Sequence, residues 1–356
     1  MNHNLQQLRD AGQSLWLDNI TRTLLDDGTL ERYIKDYGIT GLTSNPTIFE
    51  KAIGGSNAYD SAIADKTAAG LEDEALFVEL ALADLRRAAK LFEPAHESTG
   101  GVDGWVSMEV SPLLANDTAG SIAAAQRIHD QAACKNLYIK IPGTPEGVPA
   151  IEESIYNGVP INVTLLFSTE QYLASAEAYL RAIERRITDG RDPHVSSVAS
   201  LFVSRWDKAV AETTPAALHN KLGIAVSRQA YHAYREILES DRWKKLADAG
   251  AQPQRLLWAS TGTKDPEASD TLYVSALAAP GTINTIPDKT LEAFAEHGKV
   301  DSVLDRDVDG VLKPFGDAGV DTDAVARQLQ EDGAASFVKS WKQLMAKIGE
   351  KAKALA

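Results

Sequence analysis

Eight short apolar or alternating stretches, each divided from the next by longer or helical sequence, are what most limits the folds open to this chain. They lie at residues 13–18, 38–45, 104–110, 136–142, 160–167, 196–203, 255–261 and 281–287. Helical patterns run between them over 71–92, 118–133 and 169–188, the last opened by a capping box of Ser168 and Gln171. Strand–helix alternation calls for an α/β fold with a parallel sheet, and eight repeats of it point to a closed (β/α)8 TIM barrel more than to an open doubly wound sheet. The helical regions at about 204–248 and 321–354 exceed the ~250 residues of a minimal barrel and read as extra helices. In the second, Phe337, Trp341, Leu344, Met345 and Ile348 fall at helical spacing, so core packing on the barrel is its expected role. No shift of composition or low-complexity linker divides residues 1–356, which are read as a single domain.

A barrel strand must turn apolar residues outward to meet the helices, while polar inward residues near its end face the active-site mouth. Leu15 and Leu17 thus oppose Trp16 and Asp18, and Val106, Met108 and Val110 oppose Ser107 and Glu109. Ile161, Val163 and Leu165 likewise oppose Asn162 and Thr164, and Ala199 and Leu201 oppose Ser200 and Phe202. Polar groups from several strands would then converge on one end, an arrangement that an enzyme uses and a structural barrel does not need.

The fourth stretch carries a cation where one is costly. In Leu137-Tyr138-Ile139-Lys140-Ile141, ended by Pro142-Gly143, a period of two sets Lys140 beside Tyr138 and away from the three aliphatic residues. On an edge strand such a lysine would face water; in a barrel strand its amine enters an enclosed space, where a lowered pKa is the usual relief. An ordinary lysine of pKa ~10.4 is neutral at pH 7 in about one molecule in 2,500, a handicap of roughly 4.6 kcal/mol that burial can largely remove. A desolvated lysine of this kind forms Schiff bases with carbonyl substrates. Glu109 and Asp18 could simply neutralise it, and Asn45, Asn162, Thr164 and Ser200 could cap loops, but one cation does not require six polar neighbours.

Other chemistries find less support. The seven histidines are scattered with no pair at ligand spacing, which disfavours a zinc site. Asp305, Asp307, Asp309 and Gly310 imitate the start of a calcium loop, but Gly316 stands where the bidentate glutamate belongs, so a solvated acidic loop is expected. There is no Walker A loop and no dinucleotide fingerprint. A net charge of -14 argues against nucleic acid and anionic membrane as partners, while a local basic site for a phosphorylated metabolite stays open. One cysteine, Cys134, and an N-terminus without a signal-peptide pattern suggest a cytoplasmic protein.

Five segments, GLTSNPTIF (41–49), SMEVSPLLANDT (107–118), LYIKIPGTPEGVPAI (137–151), INVTLLFS (161–168) and NTIPDKTLEAF (284–294), resemble the motifs of transaldolases in the same order. The resemblance, closest to the longer bacterial type, implies a Schiff-base barrel needing neither metal nor organic cofactor. It implies transfer of a dihydroxyacetone unit from sedoheptulose 7-phosphate to glyceraldehyde 3-phosphate. It also assigns roles. Lys140 matches the Schiff-base lysine, Glu109 the acid acting through a water, Thr164 the residue holding that water, and Asp18 the base for the donor's C4 hydroxyl. Asn45, Asn162 and Ser200 match residues that bind the dihydroxyacetone moiety, and Arg205 matches a phosphate-binding arginine. After the seventh strand, where many transaldolases offer a second such arginine, this chain reads Ser260-Thr261-Gly262-Thr263-Lys264. Ser260 is therefore counted with the substrate-binding residues and Lys264 as the substitute cation. Phe202 belongs to the same set: it offers no acid to protonate an enamine, which favours transfer over an aldolase that releases free dihydroxyacetone. A non-catalytic sugar-phosphate-binding barrel is the reading from another class. Phosphorylated sugars are the expected partners, and a homodimer is the assembly allowed for.

Overall fold

The computed structural model describes residues 1–356 except 301, 305–307, 309 and 356, so the acidic stretch of Asp305, Asp307 and Asp309 lies outside the described residues. Eight parallel strands form one sheet: β1 (Ser14–Leu17), β2 (Gly41–Leu42), β3 (Val106–Glu109), β4 (Leu137–Pro142), β5 (Ile161–Leu166), β6 (Ser197–Phe202), β7 (Arg255–Ala259) and β8 (Ile283–Ile286). Each lies within one of the eight stretches read from the sequence. The sheet runs β2-β1-β8-β7-β6-β5-β4-β3 and curls until its two edges meet. There Leu42 N donates to Trp105 O at 2.9 Å, and Ser44 Oγ to Ser107 O at 2.7 Å. A β-carbon on Gly41 would come within 2.6 Å of Trp105 O and 2.7 Å of the Trp16 ring, so the seam closes only over a glycine. The result is a (β/α)8 TIM barrel with extra helices.

Between strands stand helices that include Asp73–Ser98, Thr118–Ala132 and Thr169–Thr188, the last with the full Ser168/Gln171 capping box. Outward residues Leu15, Leu17, Val106, Met108, Ile161, Val163, Ala199 and Leu201 join the apolar layer under these helices. Inside, Trp16, Trp105 and Tyr138 fill the barrel, the last two stacked at 4.1 Å, and Arg255 donates to Ser14 Oγ and to the carbonyls of Val102 and Thr282. This packed floor leaves the polar ends of the strands at one mouth.

Three expectations need correction. β2 is only two residues long, and past its end Ser44 gives its carbonyl to Lys140 and not to a neighbouring strand. Leu165 does not continue the outward row of Ile161 and Val163. The pairing of β5 with β6 shifts between Val163 and Leu166, Leu165 takes φ 58°, and its side chain joins the inner cluster while Leu166 takes the outward place. Of the C-terminal helix, Thr322–Leu355, Trp341, Leu344 and Ile348 do pack into the outer core, Trp341 edge-on to Phe77 at 5.1 Å. Phe337, one turn earlier, instead turns into the barrel mouth.

Candidate active site

The register of β3, β4 and β5 fixes the centre of the site. Lys140 pairs with Glu109 on one side and with Asn162 on the other, so strand spacing alone brings these three side chains level, and Thr164, opposite Pro142, stands two residues further along. Lys140 Nζ donates to Ser44 O at 2.8 Å and lies 3.1 Å from Glu109 Oε2. Both residues are buried. Burial holds the Glu109 carboxyl above the ordinary range, against the pull of Lys140. Glu109 Oε1 and Thr164 Oγ1 are buried without a hydrogen-bond partner among the described residues.

Asp18 follows β1, its nitrogen donating to Ile286 O at 2.9 Å. Its carboxylate accepts from Thr43 Oγ1 at 2.8 Å, and Thr43 meets Thr285 Oγ1 at 2.6 Å, so three strand ends lock one carboxylate. Burial raises its pKa, opposed by the Thr43 hydrogen bond and then by Lys140. On the far side, Ser200 Oγ donates to Asn162 Oδ1 at 2.7 Å and Asn162 Nδ2 to Ser107 Oγ at 3.2 Å, which fixes the orientation of the amide. Asn45 caps the helix Pro46–Gly54, its Oδ1 accepting from Ile48 N at 3.0 Å; its amide nitrogen is what remains to face the cavity.

These residues surround a cavity of about 300 Å³ at the C-terminal end of the barrel. Asp18, Asn45, Lys140, Thr164, Ser200, Phe202, Arg205, Ser260 and Lys264 line it; Glu109 and Asn162 stand just behind, reached through Lys140 and Ser200. Arg205 lies in the first turn of the helix Ser204–Val210, with its guanidinium 5.0 Å from the centre of the Phe202 ring. Ser260 takes φ 56° and its hydroxyl meets Ser204 Oγ at 2.9 Å. Lys264 reaches the same cavity, its pKa lowered by partial burial and then by Arg205. Thr43, Thr47, Lys51, Thr285 and Phe337 also line the cavity and were not expected. Inward parity with Asn45 and Ile283 could have found Thr43 and Thr285, and Lys51 lies within the helix that Asn45 caps; nothing in the sequence marked Phe337. Among the described residues the lining carries four cations, Lys51, Lys140, Arg205 and Lys264, against the single acid Asp18. In a protein of net charge -14 such a pocket concentrates positive potential where an anionic substrate would enter.

Residues 15–348 match the family model described as Transaldolase/Fructose-6-phosphate aldolase. Curated relatives named transaldolase cover nearly the whole of both chains. The protein of Thermobifida fusca is 44% identical over 98% of each, and that of Arthrobacter sp. (strain FB24) 43% identical over 96% of each. A "Transaldolase 2" of Nostoc punctiforme is 39% identical over 99% of each. With a barrel, a buried strand lysine at its mouth and a family match along almost its full length, the chain belongs to the transaldolase/fructose-6-phosphate aldolase family.

Proposed function

We infer that this chain is a transaldolase, moving a dihydroxyacetone unit from sedoheptulose 7-phosphate to glyceraldehyde 3-phosphate, with erythrose 4-phosphate and fructose 6-phosphate as products. The observation that carries this reading is the Lys140–Glu109 pair, buried beside a cavity whose charged lining is mainly cationic.

In this reading the Lys140 amine attacks the donor carbonyl, and Glu109, whose raised pKa suits it to take up a proton, supplies and removes protons as carbinolamine becomes imine. Glu109 and Thr164, both with unpartnered buried oxygens, suit the task of sharing the water that leaves and returns. Asp18, held by Thr43, takes the proton from the C4 hydroxyl as the C3–C4 bond breaks. The protonated imine accepts the electron pair, so the lysine itself acts as the electron sink. Asn45, Asn162 and Ser200 hold the resulting enamine until the acceptor arrives, and Arg205 and Lys264 take the phosphate. Phe202 keeps an apolar face towards the enamine, which favours transfer over release. A single domain over residues 1–356, a cytoplasmic location and a homodimeric assembly complete the proposal. Among the described residues no helix is long and apolar enough to cross a membrane.

The test is consumption of fructose 6-phosphate with and without an aldehyde acceptor. Turnover should depend on the acceptor. Release of free dihydroxyacetone at the same rate without acceptor would show an aldolase instead.

A further inference from the structure

The C-terminal helix brings Gln330, Gly333 and Phe337 to the barrel mouth, residues three and four apart and so on one face. Gln330 Nε2 donates to Leu165 O at 2.9 Å and to Gly143 O at 3.0 Å, which hooks the helix onto the ends of two adjacent strands. At Gly333 a β-carbon would stand 2.9 Å from Leu165 Cδ2 and 3.1 Å from Arg205 Nη1. Phe337 lines the cavity, with Arg205 Cζ 5.8 Å from its ring centre and 5.0 Å from that of Phe202.

Arg205 is half-buried, yet among the described residues no acceptor lies within hydrogen-bond distance of its guanidinium and no carboxylate within ion-pair distance. A flexible cation is thus located by packing alone, between two phenyl rings and a glycine notch, with its donors uncommitted. Ring faces attract a guanidinium without consuming its N–H groups, whereas a carboxylate would occupy the fork that a phosphate needs. We propose that Gly333 and Phe337 are positioning residues that hold Arg205 ready for a phosphoryl group, so that the C-terminal helix sets the enzyme's preference for phosphorylated over unphosphorylated sugars. This rests on the reading of Arg205 as a phosphate contact.

The experiment compares Arg205→Ala, Phe337→Leu, Phe337→Tyr and Gly333→Ala in the full chain. For each, kcat and KM are measured with fructose 6-phosphate and with fructose, together with inhibition by inorganic phosphate and the thermal midpoint. Phe337→Leu should lower the ratio of kcat/KM for the phosphorylated over the unphosphorylated donor by about 3- to 10-fold, the size expected for loss of one cation–π contact. The change should fall on KM and on the phosphate inhibition constant, with little in kcat, and Phe337→Tyr should restore the ratio. Gly333→Ala should act in the same direction, and carries the test by itself if Phe337→Leu does not fold. Equal losses on both donors with a lower thermal midpoint would show that the helix only supports the barrel, and would overturn the proposal. So would an unchanged ratio in both helix variants while Arg205→Ala is strongly selective. If Arg205→Ala itself leaves the ratio unchanged, the phosphate reading of Arg205 fails, and this inference with it.

Discussion

Lys140 Nζ stands 3.1 Å from Glu109 Oε2, with only 7% and 3% of the two side chains exposed. Taking both charges out of water is expensive, and the pair recovers little elsewhere: the amine has one further partner, Ser44 O, and Glu109 has none besides Lys140 among the described residues. An interior built for stability would fill this place with apolar side chains. A site that must pass a proton between an amine and a carboxyl keeps them in contact and dry.

In the proposed mechanism Glu109 and Asp18, at the ends of separate strands, divide the proton work. Glu109→Gln should slow imine formation by about 10²–10⁴-fold, the usual contribution of a general acid–base group. Asp18→Asn should still form the imine but stall cleavage. Rapid-quench measurement of imine and of released aldehyde separates the two steps; normal cleavage of fructose 6-phosphate by Asp18→Asn would end this assignment.

Stability should depend on pH through the same carboxyls. Asp18 and Glu109 are both held above the ordinary carboxylate range by burial, so the folded protein binds their protons more tightly than the unfolded chain does. Each then costs stability as pH rises from the ordinary range through the raised value, and the cost is complete above it. Asp18→Asn removes one such cost while keeping an acceptor for Thr43. Its thermal midpoint should exceed that of the parent by about 2 °C at pH 8, the scale of ~1 kcal/mol in a large domain. The gain should disappear at acid pH, where the parent Asp18 is protonated in both states. Thermal melts across pH check this, and a midpoint lowered at every pH would contradict it.

Gln330 should matter to stability beyond its size. Gln330→Leu leaves the carbonyls of Gly143 and Leu165 without that donor, at a cost of about 1–3 kcal/mol in urea unfolding if they stay buried. A loss under ~0.5 kcal/mol would mean that the Leu165 turn holds without the helix.

How far the sequence could be read follows from which contacts are local. The strands and the convergence of Asp18, Glu109, Lys140 and Thr164 were legible, because a period of two fixes which side chains point inward. The bulge at Leu165 was not: its left-handed backbone is stabilised by Gln330, which lies 165 residues further along the chain. Phe337 shares a helical stripe with Trp341 and Leu344, so periodicity places all three in a core and cannot tell that the helix crosses the mouth at that turn. Asn45 serves at once as a cap and as a lining residue, a double use that residue type alone does not separate.

Covalent catalysis here turns on Lys140 as the nucleophile. The most direct measurement is the intact mass and peptide map of the protein after incubation with fructose 6-phosphate and borohydride. One reduced dihydroxyacetone-derived adduct per chain is expected, on the peptide containing Lys140, and none in Lys140→Met. An adduct on another lysine, or turnover with no adduct at all, would contradict it.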